Sequence, residues 1–304
     1  MVVTNYQPTY RHFQTSFRAS LYHERCHQMD DVIEKAVERV IRSMHANLGE
    51  PITIDDMART AMFSKFHFSR IFQRVTGISP GRFLSALRLQ RAKYLLLTTD
   101  LTVADISHVV GYNSIGTFSS RFRTSVGVSP TEYRQHRGCV PPLAGWDPLP
   151  KPRREQQDRR PSVRGRVWQP PACRPGRVVV GLFPDRIAQG TPVRHTTLPA
   201  AGEFVLEDVP PGTWHLLAHS MESDGEAGED NGLAEYGELT ANQAYVGAFG
   251  LDVASGRAVH EVDVWLRARR IFDPPALLAQ VDAPMWTTEA RAAGRVEHAA
   301  LPGA

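Results

Sequence analysis

The feature that most constrains this chain is a helix exit that it writes twice. "GISPGRFL", Gly77 to Leu84, returns fifty positions later as "GVSPTEYR", Gly127 to Arg134. Glycine readily takes the left-handed conformation that ends a helix, serine caps the next helix, and proline suits that helix's first position. Each stretch therefore predicts a sharp turn between helices, and Ser129 with Glu132 completes a capping box in the second.

The repetition extends upstream. Thr53 stands three residues before Asp56 and Thr102 three before Asp105, a capping arrangement, and "SKFHFSRIFQRVTG" and "SIGTFSSRFRTSVG" both run from Ser to Gly. Phe68, Ser69, Phe72, Gly77, Ser79 and Pro80 match Phe118, Ser119, Phe122, Gly127, Ser129 and Pro130 at an offset of 50, whereas Asp56 matches Asp105 at 49. The extra residue must fall in the turn between the two short helices of the second unit. A longer helix, about Pro80 to Leu97, separates the copies and carries Phe83, Leu84, Leu87, Leu89, Ala92, Tyr94, Leu95 and Leu96 on or near its buried face. Ahead of both units, Ile33, Val37, Val40, Ile41, Met44 and Leu48 recur at helical spacing, with Asp31 and Glu34 suited to the start. Two copies divided by a long helix do not make a solenoid.

Turn chemistry alone fits a repeated helical bundle, and the second short helix of each unit points further. In "SKFHFSRIFQR" the residues Phe68, Ile71 and Phe72 form one inward stripe, leaving Lys65, Phe66, Ser69, Arg70, Gln73 and Arg74 outward. Such a face, on a helix braced across another short helix, suits entry into a DNA major groove. Arg70 is placed to bond a guanine edge in bidentate fashion, and Lys65 and Arg74 to hold phosphates. Charge agrees: residues 30–137 carry fifteen Lys and Arg against ten Asp and Glu, residues 178–304 eight against eighteen, within an overall +3. A basic front suits a polyanion partner and an acidic back does not.

"DDMARTAMFSKFHFSRIFQRVTGISPGRFL" and "VADISHVVGYNSIGTFSSRFRTSVGVSPTEYR" resemble the DNA-binding domain of the AraC/XylS family, two helix-turn-helix units joined by a long helix, over about a third of the chain. The resemblance implies sequence-specific binding to two successive major-groove segments of double-stranded DNA, with RNA polymerase as the usual contact in activation. Carried over by position, the base-facing residues are Phe66, Ser69 and Arg70 in the first unit, flanked by Lys65 and Arg74. In the second unit they are Ile115, Gly116, Thr117, Ser119 and Ser120, with Ser114 also expected at the DNA and Arg121 and Arg123 toward phosphates. The second set departs from the Gln or Arg often found there, so that unit should discriminate less. A connector of about 17 residues spans roughly 26 Å against the ~34 Å between successive groove segments, within reach given side-chain length and tilt. Gly111, Tyr112, Leu84 and Leu87 read as structural.

Beyond Pro161 the period changes to two. "VRGRVWQ", "RVVVGLFP", "VRHTTLP", "GEFVLEDV", "TWHLLAHS", "AYVGAFGL" and "HEVDVWLRA" are short strand-like runs divided by Pro, Gly and Asp, which favours an antiparallel sandwich. "AAGEFVLEDVPPGTWHLLAHS" resembles the carboxypeptidase regulatory-like or prealbumin-like β-sandwich, which implies a binding or spacer module with an unknown effector or protein partner. Two alternatives stand beside it: an α/β drug-sensing domain, and a DNA-targeted metal-dependent hydrolase built on His195, His215, His219, His260 and the acidic loop "ESDGEAGEDNGLAEYGE". No nucleophile elbow, phosphate-cradling Gly loop or zinc-protease helix occurs, so a non-enzyme without metal or cofactor is expected.

The fold class is thus α then β, an all-α double helix-turn-helix domain followed by an antiparallel β-sandwich. The divisions fall at 1–29 (an N-terminal arm), 30–137 (the helix-turn-helix domain), 138–161 (a Pro/Arg-rich linker), 162–270 (the β domain) and 271–304 (a C-terminal tail). In the arm, Tyr10, Phe13, Phe17 and Leu21 fit a packing or dimerising helix, and "HERCH" lacks a fourth zinc ligand. Cys26, Cys139 and Cys173 form no disulfide or zinc pattern. No apolar run approaches a membrane span and no leader-like start is present, so a cytoplasmic setting is expected.

Overall fold

The computed structural model describes residues 31–138, 161–171, 176–221, 245–254 and 259–279. The N-terminal arm, most of the linker, the three cysteines, the acidic loop and residues 280–304 lie outside them. Helix α1 runs over 31–46 and is followed by α2 (Ile54–Ala61), α3 (Lys65–Thr76), α4 (Pro80–Thr98), α5 (Val103–Val109), α6 (Ile115–Val126) and α7 (Pro130–Gln135). Asp31 is already helical, so it is not the cap suggested by its spacing from Glu34. Among the described residues no helix is long and apolar enough to cross a membrane.

The helix boundaries have local causes. Thr53 and Thr102 each donate backbone N–H and hydroxyl to the carboxylates of Asp56 and Asp105, which donate their own N–H groups back to the threonine hydroxyls at 3.2 and 3.1 Å. These hydrogen bonds hold both carboxyls below the usual range, as those from Ser129 do for Glu132. Gly77 and Gly127 end α3 and α6 at φ 81° and 98°, the left-handed region that their twin exits require. Met62 and Gly111 fill one role in the turns, both left-handed at an offset of 49. Phe63 alone then separates Met62 from Ser64, whereas Tyr112 and Asn113 separate Gly111 from Ser114, which locates the extra residue.

The repeat continues in the core. Phe68, Phe72 and Phe83 form a chain of rings at 5.5 and 5.4 Å between centroids, and their counterparts Phe118, Phe122 and Tyr133 form another at 5.7 and 5.6 Å. All six are fully buried, and such ring pairs add about 0.5–1.5 kcal/mol each beyond the area they bury. Two arginines secure the entrances to the units: Arg88 donates to the carbonyls of Leu48 and Glu50 before α2, and Arg134 to those of Leu96, Thr99 and Leu101 before α5.

After α7 the described residues form the strands β1 (Ser162–Trp168), β2 (Arg177–Phe183), β3 (Arg194–Leu198), β4 (Glu203–Leu206), β5 (Gly212–Met221), β6 (Tyr245–Val253), β7 (Val259–Glu261), β8 (Val264–Trp265) and β9 (Arg267–Ala268). One sheet, in the order β3-β2-β5-β6-β9, is antiparallel throughout. The other departs from the expected all-antiparallel pattern, because β1 pairs antiparallel with β4 but parallel with β7 and β8. The run "HEVDVWLRA" also breaks at Val262 and Asp263 instead of forming one strand. Asp263 leaves the ladder to accept hydrogen bonds from the Arg166 N–H and the Trp168 indole, each at 3.0 Å. Gly165 permits this approach, since a Cβ there would lie 1.9 Å from the Val262 carbonyl oxygen.

Val163 and Val167 of β1, Phe204 and Leu206 of β4, Val178, Val180 and Leu182 of β2, and Leu216 and Ala218 of β5 share one buried core drawn from both sheets. The opposite face of β2 and β5 is covered too. Val179, Phe183 and Leu217 pack there against Ala276 and Leu278. The intervening Leu277, with Ala279 and Phe272, enters the core of the helical region. Residues 276–279 are thus a strap whose successive side chains enter two different cores in turn. Lys93, fully buried on α4, donates to the carbonyls of Ala276 and Leu277 at 3.4 and 3.1 Å. Nearby, burial and then the charge of Arg269 push His219 and His45 down to about 4, so both are neutral at pH 7.

Candidate nucleic-acid interface

Helices α3 and α6 present the same faces. Lys65, Phe66, Arg70 and Arg74 of α3 are exposed and Ser69 is half-buried; Ser114, Ile115, Gly116, Thr117, Ser120, Arg121 and Arg123 are exposed around half-buried Ser119. Burial matches position by position from 64–78 to 114–128 except at one place, where buried Ile71 answers to exposed Arg121. The inward stripe is Phe68, Ile71, Phe72 and Thr76 in α3, and Phe118, Phe122 and Val126 in α6.

The two faces differ chemically. Phe66 is 84% exposed, an unusually bare aromatic for a folded surface, and stands beside exposed Arg70. Lys65 is paired with Asp55 at 3.1 Å, an exposed contact that a phosphate would compete for. The Ser69 hydroxyl donates to the Lys65 carbonyl at 2.9 Å, leaving its oxygen lone pairs to accept. On α6 the Ser114 hydroxyl caps the helix by accepting from the Thr117 N–H at 3.4 Å, so its first duty is structural. Ile115 and Gly116 contribute no polar group. The α3 face sets Lys65, Arg70 and Arg74 beside a bare aromatic ring, whereas the α6 face is mostly hydroxyl groups with Arg121 and Arg123 among them.

Helix α4 sets the distance between them. Its 19 residues span about 28 Å at ~1.5 Å per residue. Phe83, Leu84, Ala86, Leu87 and Leu89 pack into the shared core, so the two units are held on one rigid rod. Tyr112 is buried against Phe118, and a Cβ on Gly111 would strike the Leu48 carbonyl at 2.5 Å, which gives both residues structural roles.

Sequence reasoning missed what the β region brings to this surface. Arg82, on the first turn of α4, makes a bidentate pair with Asp185 at 2.8 and 2.8 Å across 103 residues of sequence. The hydrogen bonds from Arg82 lower the Asp185 carboxyl, and those to Asp185 raise the guanidinium. A clue was present in the repeat itself, because Arg82 stands where the second unit has Glu132. Ser79 makes no side-chain capping bond, whereas Ser129 closes a full box with Glu132. The histidines proposed for a metal site are dispersed: His215 and His219 share one face of β5, His195 lies on β3, and His260 is on the other sheet. Among the described residues no group of three or more His, Cys, Asp or Glu is placed to hold a metal ion.

Two short-helix pairs, each ending in an outward helix, pack on one connector in the helical region. Residues 57–136 match the family model described as "Helix-turn-helix domain". The HTH-type transcriptional activator AarP of Providencia stuartii is 30% identical over 98 residues, covering 32% of this chain and 73% of the relative. The lactose operon transcription activator of Staphylococcus xylosus is 29% identical over 106 residues, covering 35% of this chain and 38% of the relative. A solved AraC-type transcriptional regulator from Chromobacterium violaceum is 30% identical, covers 36% of this chain and 96% of its own, and has a TM-score of 0.34. The chain belongs to the HTH-type transcriptional regulators. It spans only 38% of the Staphylococcus activator's length, through the helical region.

Proposed function

We propose that this protein is a sequence-specific transcriptional activator that reads two successive major-groove segments of double-stranded DNA, one with each helix-turn-helix unit. The observation that carries the reading is the matched outward faces of α3 and α6 on the single rod α4. In this reading Phe66, Ser69 and Arg70 contact base edges, Lys65 and Arg74 contact phosphates, and the first unit supplies most of the discrimination. Ser114, Ile115, Gly116, Thr117, Ser119 and Ser120 follow the second groove segment. There Ile115 and Thr117 meet thymine methyl groups, with Arg121 and Arg123 on the backbone. RNA polymerase is the protein partner through which activation acts, in the cytoplasm. The two sheets with their common core act as a β-sandwich that senses an effector or binds a protein.

The test is Arg70→Ala in the full chain. It should weaken binding to a selected duplex by about 1–3 kcal/mol while leaving random DNA largely unaffected. Equal loss on both sequences would refute base reading by Arg70.

A further inference from the structure

A cleft of about 560 Å³ lies between α4 and α6. Ser79 and Arg82 line it from α4, Ser120 and Arg121 from α6, and Ile187 and Gln189 of the β2–β3 connection close one side. That connection is fastened at three points. Asp185 is on Arg82, Ile187 is buried in the helical core, and the Gly190 N–H donates to the Ser125 carbonyl at 2.8 Å. An acidic group of the β region therefore already sits on a cation of the cleft, in the bidentate geometry that a phosphate would use.

We propose that this cleft receives the DNA sugar-phosphate strand that crosses between the two groove segments, and that Asp185 is a built-in competitor for Arg82. The proposal rests on the reading of α3 and α6 as DNA-reading helices. Three observations carry it. The cleft joins the connector to Ser120 and Arg121 on the exposed face of α6, so a backbone leaving the second unit toward the first passes its mouth. Its lining offers hydroxyl donors and two guanidinium groups and no carboxylate, the composition expected of a phosphate path. Finally, the repeat departs from itself here. Glu132 is used for capping in the second unit, and its counterpart in the first is an arginine turned outward to an anion. Docking of the β region and full engagement of DNA then draw on the same side chain, so a ligand or partner that loosens the connection tightens DNA binding.

The experiment measures binding of the full chain to a selected duplex of about 30 bp, long enough for two groove segments one turn apart. Asp185→Asn should tighten binding roughly two- to fivefold, the range for releasing a half-exposed ion pair. It should also steepen the dependence of log K on log salt by about 0.9, the increment for one further neutralised phosphate. Arg82→Ala should weaken binding and abolish the effect of Asp185→Asn in the double variant. Unchanged or weaker binding by Asp185→Asn would overturn the proposal. So would equal tightening in the Arg82→Ala background, which would mean that only net charge had changed. Either result leaves the reading of α3 intact if Arg70→Ala still loses selected DNA preferentially; failure of Arg70→Ala to discriminate defeats both.

Discussion

Leu277→Ala probes the strap that joins the two regions. The side chain is fully buried in the helical core. Removing its three outer carbons forfeits about 2.4 kcal/mol of transfer energy at ~0.8 kcal/mol each, and the cavity left behind brings Leu→Ala costs to about 2.7–5 kcal/mol. The strap can settle partly into the space, which sets the expected loss near 3 kcal/mol. At roughly 2–4 °C per kcal/mol for a structured chain of this size, the melting temperature should fall by about 6–12 °C. Scanning calorimetry of the full chain measures it, with Leu278→Ala as the companion, because Leu278 packs on the sheet face instead. Both substitutions should depress the same transition. A normal melt for Leu277→Ala beside a depressed one for Leu278→Ala would show that the strap belongs to the sheet alone, and would refute the two-sided packing.

Other outcomes follow from single features. The capped carboxylates Asp56, Asp105 and Glu132 have folded pKa values below their ordinary ones. Their contribution is therefore present above the ordinary carboxylate range and is lost as pH falls through the folded values. Asp56→Asn, Asp105→Asn and Glu132→Gln combined should flatten the acid limb of a stability-versus-pH curve measured by circular dichroism. Gly165→Ala forces a methyl group against the Val262 carbonyl and should cost about 1–3 kcal/mol, the scale of overpacking, in a guanidinium titration followed by tryptophan fluorescence. Loss of specific DNA binding by Arg70→Ala and gain by Asp185→Asn complete the set, both read from duplex titrations.

Features that act over a few residues were legible in the sequence. The capping boxes at Thr53, Thr102 and Ser129, the left-handed glycines 77 and 127, and the Phe68/Phe72 stripe each depend on neighbours within a turn or two. The outward face of α3 is the complement of that stripe and comes with it. Strand runs showed for the same reason, since alternation along β4 or β1 is local. The break between β7 and β8 was not legible, because it turns on Asp263 finding Trp168 almost a hundred residues earlier. Nor was the bond between Arg82 and Asp185, whose partners meet only after two separate regions have formed. The strap was hidden because "PALLA" carries no signal that its alternate residues serve different cores.

The position of that strap orders events during synthesis. At about 5–20 residues per second, the stretch between Gly138 and Ala279 takes about 7–28 s to make, and the helical units fold far faster than that. Each new molecule therefore exposes α3 and α6 before Leu277 and Ala279, which complete the helical core, have been made.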